Sequence, residues 1–170
     1  MLGFLFRGLT AEPARGAALF ETLTAEARRT SWFTKGAVPD TLDGRFAVLA
    51  SVVALALARL ERDGEEGNRA SVALTERFIE VMESEHRELG LGDPTLGKTV
   101  RKLVAMLARR TDLWRSAYAG KLEWLTASRE SLYNVDVAAD ALNHNAAVLK
   151  ELSVRIAATT VRNLERGEIG

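Results

Sequence analysis

The stretch from Phe46 to Ala58 constrains this chain most, because Ser51 is the only polar residue in it. A helix built from this stretch is apolar on every face, which is typical of a helix buried inside a protein. The run is shorter than the roughly 18 apolar residues that a membrane span needs, and Arg59, Glu61 and Arg62 follow it directly. The sequence therefore predicts a buried central helix that other helices must cover.

Signals for both ends of the central helix are present in the sequence. Pro39 stops extension towards the N-terminus, Asp40 is a suitable N-cap, and Asp43 completes a capping-box arrangement with it. Asp63–Gly64 and Gly67 are typical of the other end. We therefore expect the helix to run between these two groups of residues.

The rest of the chain also has a helical pattern, because apolar residues recur at three- and four-residue spacing and no stretch alternates with period two. This pattern predicts helices that end near Arg29 and that run from Asn68 to Leu89, from Asp93 to Tyr118, from Leu122 to Tyr133 and from Val137 to about Arg166. Gly90 and Gly120 are expected to end two of them. The predicted fold class is all-α: a single-domain multi-helix bundle over residues 1–170, built around the buried central helix.

Charge and cysteine content exclude several classes of protein. The chain has 23 basic and 23 acidic residues, so its overall field favours neither nucleic acid nor an anionic membrane. It has no cysteine, which excludes a disulfide framework and cysteine-based zinc sites. The segment Met1–Leu9 is apolar but lacks a basic region before its apolar part, so it is not read as a secretory signal. We expect it to dock on the fold, and contact with a membrane surface is the alternative.

Residues 92–99 read GDPTLGKT and match the phosphate-binding P-loop pattern GxxxxGKT at every fixed position. A P-loop follows a buried strand, however, and the residues before this segment, SEHRELGL, are charged and helix-forming. The same residues serve equally well as the end of one helix and the start of the next, with Asp93 and Pro94 opening the second. We therefore expect a helix–turn–helix junction here, and a nucleotide hydrolase is the least favoured function.

Other signs of catalysis or metal binding are weak. His86 and His144 are the only histidines, and they lie on different predicted helices without metal-ligand spacing. We interpret His86 as flanking the apolar side of its helix and His144 as a surface residue. No catalytic residue, metal site or cofactor is predicted, and no small-molecule substrate is expected.

Charge is segregated along the chain although its sum is zero. Residues 93–115 contain six basic and two acidic residues, whereas residues 76–88 contain five acidic and two basic ones. Together with the start of the central helix, the basic segment predicts a polar partner-binding site, provided that the two helix starts lie close together. The alternative is that the aspartates only cap helices and the lysines form an ordinary solvated face.

Two segments carry a family resemblance: VPDTLDGRF at residues 38–46 and ELGLGDPTLGKTVRKL at residues 88–103. Their sequence, order and separation resemble those of the ubiquinol–cytochrome c chaperone family, the assembly factors for cytochrome b of the respiratory bc1 complex. The resemblance covers about residues 15–135, and the predicted C-terminal helix, about 137–166, follows it. The chain departs from the family pattern inside the central helix, and at residues 107–110 it has LARR where the family tends to have a Phe-Tyr-Gly-Arg run.

The resemblance implies a non-enzymatic chaperone that binds a protein client, namely newly made cytochrome b or a related membrane subunit. It implies work in the cytoplasm, with peripheral contact at the inner membrane left open. The alternative function is a ribosome- or RNA-associated binding module that uses the basic segment, and its binding would weaken steeply with salt. The predicted partner-binding residues are Asp40, Asp43, Arg45, Phe46, Gly92, Asp93, Gly97, Lys98, Arg101 and Lys102.

Overall fold

The computed structural model describes residues 15–170, and within that range it contains helices and connecting turns but no β-strand. The prediction of an all-α fold is therefore confirmed. Pro13 and the segment Met1–Leu9 lie outside the described residues, as does the start of the single domain predicted over residues 1–170. The described helices are α1 (Ala17–Ala27), α2 (Ser31–Thr34), α3 (Leu42–Leu60), α4 (Gly64–Glu88), α5 (Asp93–Tyr118), α6 (Trp124–Leu132), α7 (Ala139–Ala158) and α8 (Val161–Glu165).

The central helix α3 is buried as its composition predicts. All residues from Ala50 to Ala58 are buried, and Ser51 is among them. Helices α1, α4, α5, α6 and α7 all pack against α3, so no face of it remains open over its middle turns. Burial of this apolar surface is the main favourable contribution to folding, at about 25 cal/mol per Å².

Helices α4 and α5 are long and amphipathic, and each turns an apolar face to the core. On α4 this face includes Leu74, Phe78 and Met82, and on α5 it includes Leu107 and Trp114. With 25 residues, α4 is about 9 Å longer than the 19-residue α3 at 1.5 Å per residue. The far end of the α4–α5 hairpin therefore extends beyond the start of α3.

Several predicted boundaries were wrong. Helix α4 begins at Gly64, four residues before the predicted cap Asn68. The predicted C-terminal helix is two helices, because Thr159 is extended and Thr160 caps α8 by accepting a hydrogen bond from the Asn163 amide. Leu89, the predicted last residue of α4, lies just beyond the end of that helix at Glu88 and is 69% exposed.

A buried polar cluster joins the short helix α2 to α6 and α7. Asn145 is fully buried, and its Nδ2 lies within hydrogen-bonding distance of the Trp32 and Gly36 carbonyl oxygens, at 3.3 and 3.2 Å. The Tyr133 hydroxyl also donates to the Gly36 carbonyl oxygen. Gly36 must be glycine here, because a Cβ atom would overlap the Asn145 amide. This cluster fixes the connection that leads into α3.

Candidate partner-binding surface

The start of α3 is capped by Thr41, not by the predicted Asp40. The Thr41 hydroxyl oxygen accepts a hydrogen bond from the Gly44 amide at 3.1 Å. Asp40 instead forms an ion pair with Arg45 at 2.8 Å, which lowers the pKa of the Asp40 carboxyl group. Asp43 lies in the first helical turn, where a carboxylate interacts favourably with the helix dipole. The predicted capping box was wrong because the chain reaches α3 one residue later than expected.

Phe46 anchors the start of α3 to its neighbours. Its ring is half-buried, and the ring centroid lies 6.2 Å from that of Phe78 on α4. The guanidinium carbon of Arg110 on α5 lies 6.0 Å from the same ring. Phe46 therefore packs beneath the start of α3, whereas Asp40, Asp43 and Arg45 are exposed there.

The junction between α4 and α5 is a helix–turn–helix, as the sequence predicts. Gly90 has a φ of 86°, a left-handed conformation that favours glycine, and it ends α4. Gly92 is extended, and α5 begins at Asp93 with Pro94 in its first turn. Residues 93–99 are thus helical, and no strand precedes them in the described part of the chain. The P-loop match at residues 92–99 does not have the strand–loop–helix structure that the motif requires.

Four cations follow one exposed face of α5: Lys98, Arg101, Lys102 and Arg109, which we call the α5 basic stripe. All four are exposed. Within residues 15–170 none of them forms an ion pair. Arg115, further along α5, differs because it pairs with both Glu61 and Asp112, which raises its pKa. The stripe therefore keeps a positive charge that no described carboxylate neutralises.

The two groups of predicted site residues are not joined by a direct polar contact. No ion pair or side-chain hydrogen bond in the described residues links Asp40 or Asp43 to the basic stripe. Gly92 and Asp93 are exposed at the start of α5, and Gly97 is half-buried. A Cβ atom at Gly97 would lie 3.7 Å from Nη1 of Arg101, which is ordinary contact. The ten residues thus belong to two helix starts: Arg45 lies on α3, whereas Lys98, Arg101 and Lys102 lie on α5.

The burial of Arg110 could not be predicted from the sequence. Its side chain is 6% exposed, and it donates hydrogen bonds from Nε to the Ser131 carbonyl oxygen at 2.9 Å and from Nη1 to the Met106 carbonyl oxygen at 3.1 Å. Burial, and after it the neighbouring Arg109, lowers the pKa of Arg110 to about 10. Arg109 donates to the Glu130 carbonyl oxygen at 3.0 Å. Both arginines therefore place positive charge at the C-terminal end of α6, where the helix dipole is negative.

Two open depressions lie on the surface of residues 15–170. One depression of about 330 Å³ lies on the acidic end of α4 and is lined by Glu80, Glu83, Ser84, Arg87 and Glu88. Another, of about 360 Å³, lies between the end of α3 and the α7–α8 turn, with Arg59, Asp63 and Glu66 in its wall. Both depressions are open to solvent, and charged side chains stand in the walls of each.

The histidines show no metal-site geometry in the described residues. Nδ1 of His86 lies 2.8 Å from the Met82 carbonyl oxygen, so that ring is held against its own helix. His144 was expected at the surface, but it is half-buried, and its Nε2 has no hydrogen-bond partner among the described residues. No group of three or more histidine, cysteine, aspartate or glutamate residues within residues 15–170 is arranged to hold a metal ion.

None of the helices between residues 15 and 170 combines the length and the apolar character that crossing a membrane would require.

Comparisons with known proteins agree with the resemblance of the two segments. A search among curated proteins found no match. A crystal structure of the Cbp3 homolog from Brucella abortus matches with a TM-score of 0.73 and 24% identity, over 100% of this chain and 96% of that one, which supports the fold. The model of the family described as Ubiquinol-cytochrome C chaperone matches residues 34–152, from α2 through most of α7. Since this match spans well over half of the chain, the protein belongs to the ubiquinol-cytochrome c chaperone family.

Proposed function

We propose that this protein is a non-enzymatic assembly chaperone that binds newly made cytochrome b, or a related membrane subunit, during biogenesis of the respiratory bc1 complex. The observation that carries the proposal is the family match over residues 34–152, because this range includes both the start of α3 and the basic stripe of α5. The proposal locates the protein in the cytoplasm, at the inner face of the inner membrane, where new membrane subunits emerge.

The proposed client-binding surface consists of the exposed residues at the two helix starts. Asp40, Asp43 and Arg45 contribute charges of both signs at α3, and Lys98 and Lys102 belong to the positive face of α5. Phe46, half-buried, and Gly97 support these positions, and Gly92 and Asp93 begin α5. Exposed charges orient a client and raise its association rate more than they add affinity. The surface therefore acts by holding and orienting the client until it is assembled.

Deleting the gene tests the function. We expect the amount of assembled bc1 complex in the membrane to fall, measured by native gel electrophoresis and by the absorbance of its haems. Affinity capture of the tagged protein from detergent-solubilised membranes is expected to recover cytochrome b or another bc1 subunit. A normal amount of bc1 complex in the deletion strain would overturn the proposal.

A site-resolved crosslink tests the surface. A photoreactive amino acid at Lys102 is expected to crosslink to the newly made client, whereas the same group at Arg162, exposed on α8, serves as the matched control. Client crosslinks of equal yield at both positions would exclude a defined binding surface. If the product formed at Lys102 is RNA, identified by its loss on ribonuclease treatment, the protein-client proposal fails for this surface.

A further inference from the structure

None of the four cations of the α5 basic stripe forms an ion pair with a carboxylate of residues 15–170. Seven arginines of the same range do form such pairs: Arg15–Glu165, Arg29–Glu26, Arg45–Asp40, Arg59–Asp63, Arg77–Glu80, Arg115–Glu61 and Arg155–Glu26. Charges closer together than the screening length of about 8 Å at physiological salt reinforce one another. Lys98, Arg101 and Lys102 are neighbours on adjacent turns, so they present one local positive field in a protein of zero net charge.

The geometry of the stripe is that of one helix face. Arg101 follows Lys98 by three positions, and Lys102 follows Lys98 by four. Arg109 follows Lys98 by eleven positions, so the stripe spans about 16 Å at 1.5 Å per residue. Between the cations the same face carries Ala105 and Ala108, which are both exposed. Such small side chains allow the backbone of a second helix to come close to α5 between the cations.

The side chains of the stripe do not suit a lipid surface or single-stranded nucleic acid. A helix that lies on a membrane inserts large apolar residues, and the exposed large apolar residues of the described chain are Leu42, Val72, Leu89, Leu125, Val135 and Val154, none of which lies between residues 98 and 109. Binding of single strands relies on aromatic stacking, and residues 98–109 contain no aromatic residue. A straight row of carboxylates along a helix satisfies both the charge and the shape of the stripe.

We propose that the α5 basic stripe binds an acidic α-helical segment of a partner polypeptide. The inference rests on the proposed function and deepens it, since it states the chemistry of the partner segment that this surface recognises. Arg109 has two roles in the stripe, because it also donates to the Glu130 carbonyl oxygen at the end of α6. The residues free to bind without a cost to the fold are therefore Lys98, Arg101 and Lys102.

Synthetic peptides test this inference directly. The probe is an alanine-based helical peptide with glutamates at positions i, i+4, i+7 and i+11, so that all of them lie on one face. Its partner peptide has the same composition with the glutamates distributed around the helix. Binding is measured by fluorescence anisotropy with the full chain. We expect the one-faced peptide to bind at least about fivefold more tightly than the distributed one, and both to weaken as salt rises.

Matched variants assign the binding to the stripe. The triple variant K98A/R101A/K102A is expected to bind the one-faced peptide about tenfold more weakly, because three exposed ion pairs are lost. The control R28A/K35A/R162A removes the same charge from exposed positions on other elements and should change the affinity less than twofold. Circular dichroism and the Tm check that both variants fold. Reversal of the stripe, K98E/R101E/K102E, is expected to bind a lysine version of the peptide in place of the glutamate version.

Three outcomes overturn the inference. Equal losses in the two triple variants would mean that only total charge matters. Equal affinity for the two peptides would exclude recognition of a helix face. Stripe-dependent binding of anionic vesicles or of single-stranded RNA, without binding of the peptide, would assign the surface to another class of partner. Each outcome leaves the proposed function standing if deletion still lowers the amount of bc1 complex, so the two failures are distinguishable.

Discussion

Arg110 allows a quantitative test of how this fold tolerates a buried charge. We consider its replacement by methionine, which has a similar length and no charge. In the wild type the guanidinium is 6% exposed and donates to two backbone carbonyl oxygens, those of Ser131 and Met106. The Met106 oxygen keeps another donor in the variant, because it lies inside α5, where the backbone amide of residue 110 reaches it. The Ser131 oxygen lies 3.0 Å from the Ser51 hydroxyl, whose single proton also has the Ala47 carbonyl oxygen as an acceptor at 2.6 Å.

The burial cost of the Arg110 charge and the gain from its hydrogen bonds nearly cancel in the free energy of unfolding. Burial chiefly lowers the pKa of Arg110 from its ordinary value to about 10, and at about 1.4 kcal/mol per pKa unit this costs the charged form about 3 kcal/mol. Two hydrogen bonds from a charged donor contribute about 1.5 kcal/mol each in the opposite direction. We therefore expect R110M to lie within about 1 kcal/mol of the wild type, as when buried ions elsewhere are replaced by apolar residues of similar size.

The control variant is R110A, which removes the same charge but leaves a cavity. Truncating a buried side chain of this size costs about 2–5 kcal/mol, so R110A should be less stable than R110M by about 3 kcal/mol. Urea unfolding followed by circular dichroism at pH 7 measures both values. If R110M is destabilised as strongly as R110A, the hydrogen bonds of the guanidinium outweigh its burial cost and the reasoning fails.

The pH dependence gives an independent check with a defined sign. Because the pKa of Arg110 is lower in the folded state than in the unfolded state, the unfolded state binds more protons from about pH 10 up to the ordinary pKa of arginine. The contribution of Arg110 to the free energy of unfolding therefore rises with pH in that window. The wild type should gain up to about 1 kcal/mol per pH unit relative to R110M above pH 10. Tyr118 and Tyr133, whose pKa values are raised by burial, are present in both proteins and cancel in the difference.

Three further predictions test other features of the structure. Thr41→Ala removes the cap of α3 and should cost about 1 kcal/mol, whereas Asp43→Ala should cost less than half of that; equal losses would favour the capping box instead. Gly36→Ala places a Cβ atom against the Asn145 amide and should lower the stability by about 1–3 kcal/mol, measured by urea unfolding; a neutral effect would contradict the close packing. Magnesium with ATP or GTP should leave the Tm unchanged, because residues 93–99 are helical; a magnesium-dependent rise would indicate nucleotide binding.

The main features of the fold could be predicted because they depend on composition over many residues. An all-apolar stretch has to be buried, so the central helix and its helical cover followed from residues 46–58 alone. The ends of two helices were also predictable, since Gly90 and Gly120 have φ values of 86° and 70° and glycine is the residue that adopts this conformation most easily.

Features that depend on one residue or on distant contacts could not be predicted. Asp40 and Thr41 are both good caps, and the choice between them depends on the path of the connection that Trp32 and Gly36 fix against Asn145. The break at Thr159 has neither glycine nor proline to indicate it. At the candidate site, the exposure of the basic residues followed from helical periodicity, but the interaction of Asp40 with Arg45 required the structure.

The neighbouring residues Arg109 and Arg110 explain why charge counting along a sequence cannot locate a binding surface. They are chemically identical, yet one helical step turns Arg110 into the core and leaves Arg109 in solvent. Arg110 is satisfied by backbone carbonyl oxygens and cannot reach a partner, whereas Lys98 and Lys102 on the exposed face have no ion pair in the described chain. A net charge of zero therefore does not exclude a local positive surface, because the acidic residues that balance these cations lie elsewhere along the chain, as in residues 76–88. Binding to that surface must weaken with salt even though the protein as a whole is neutral.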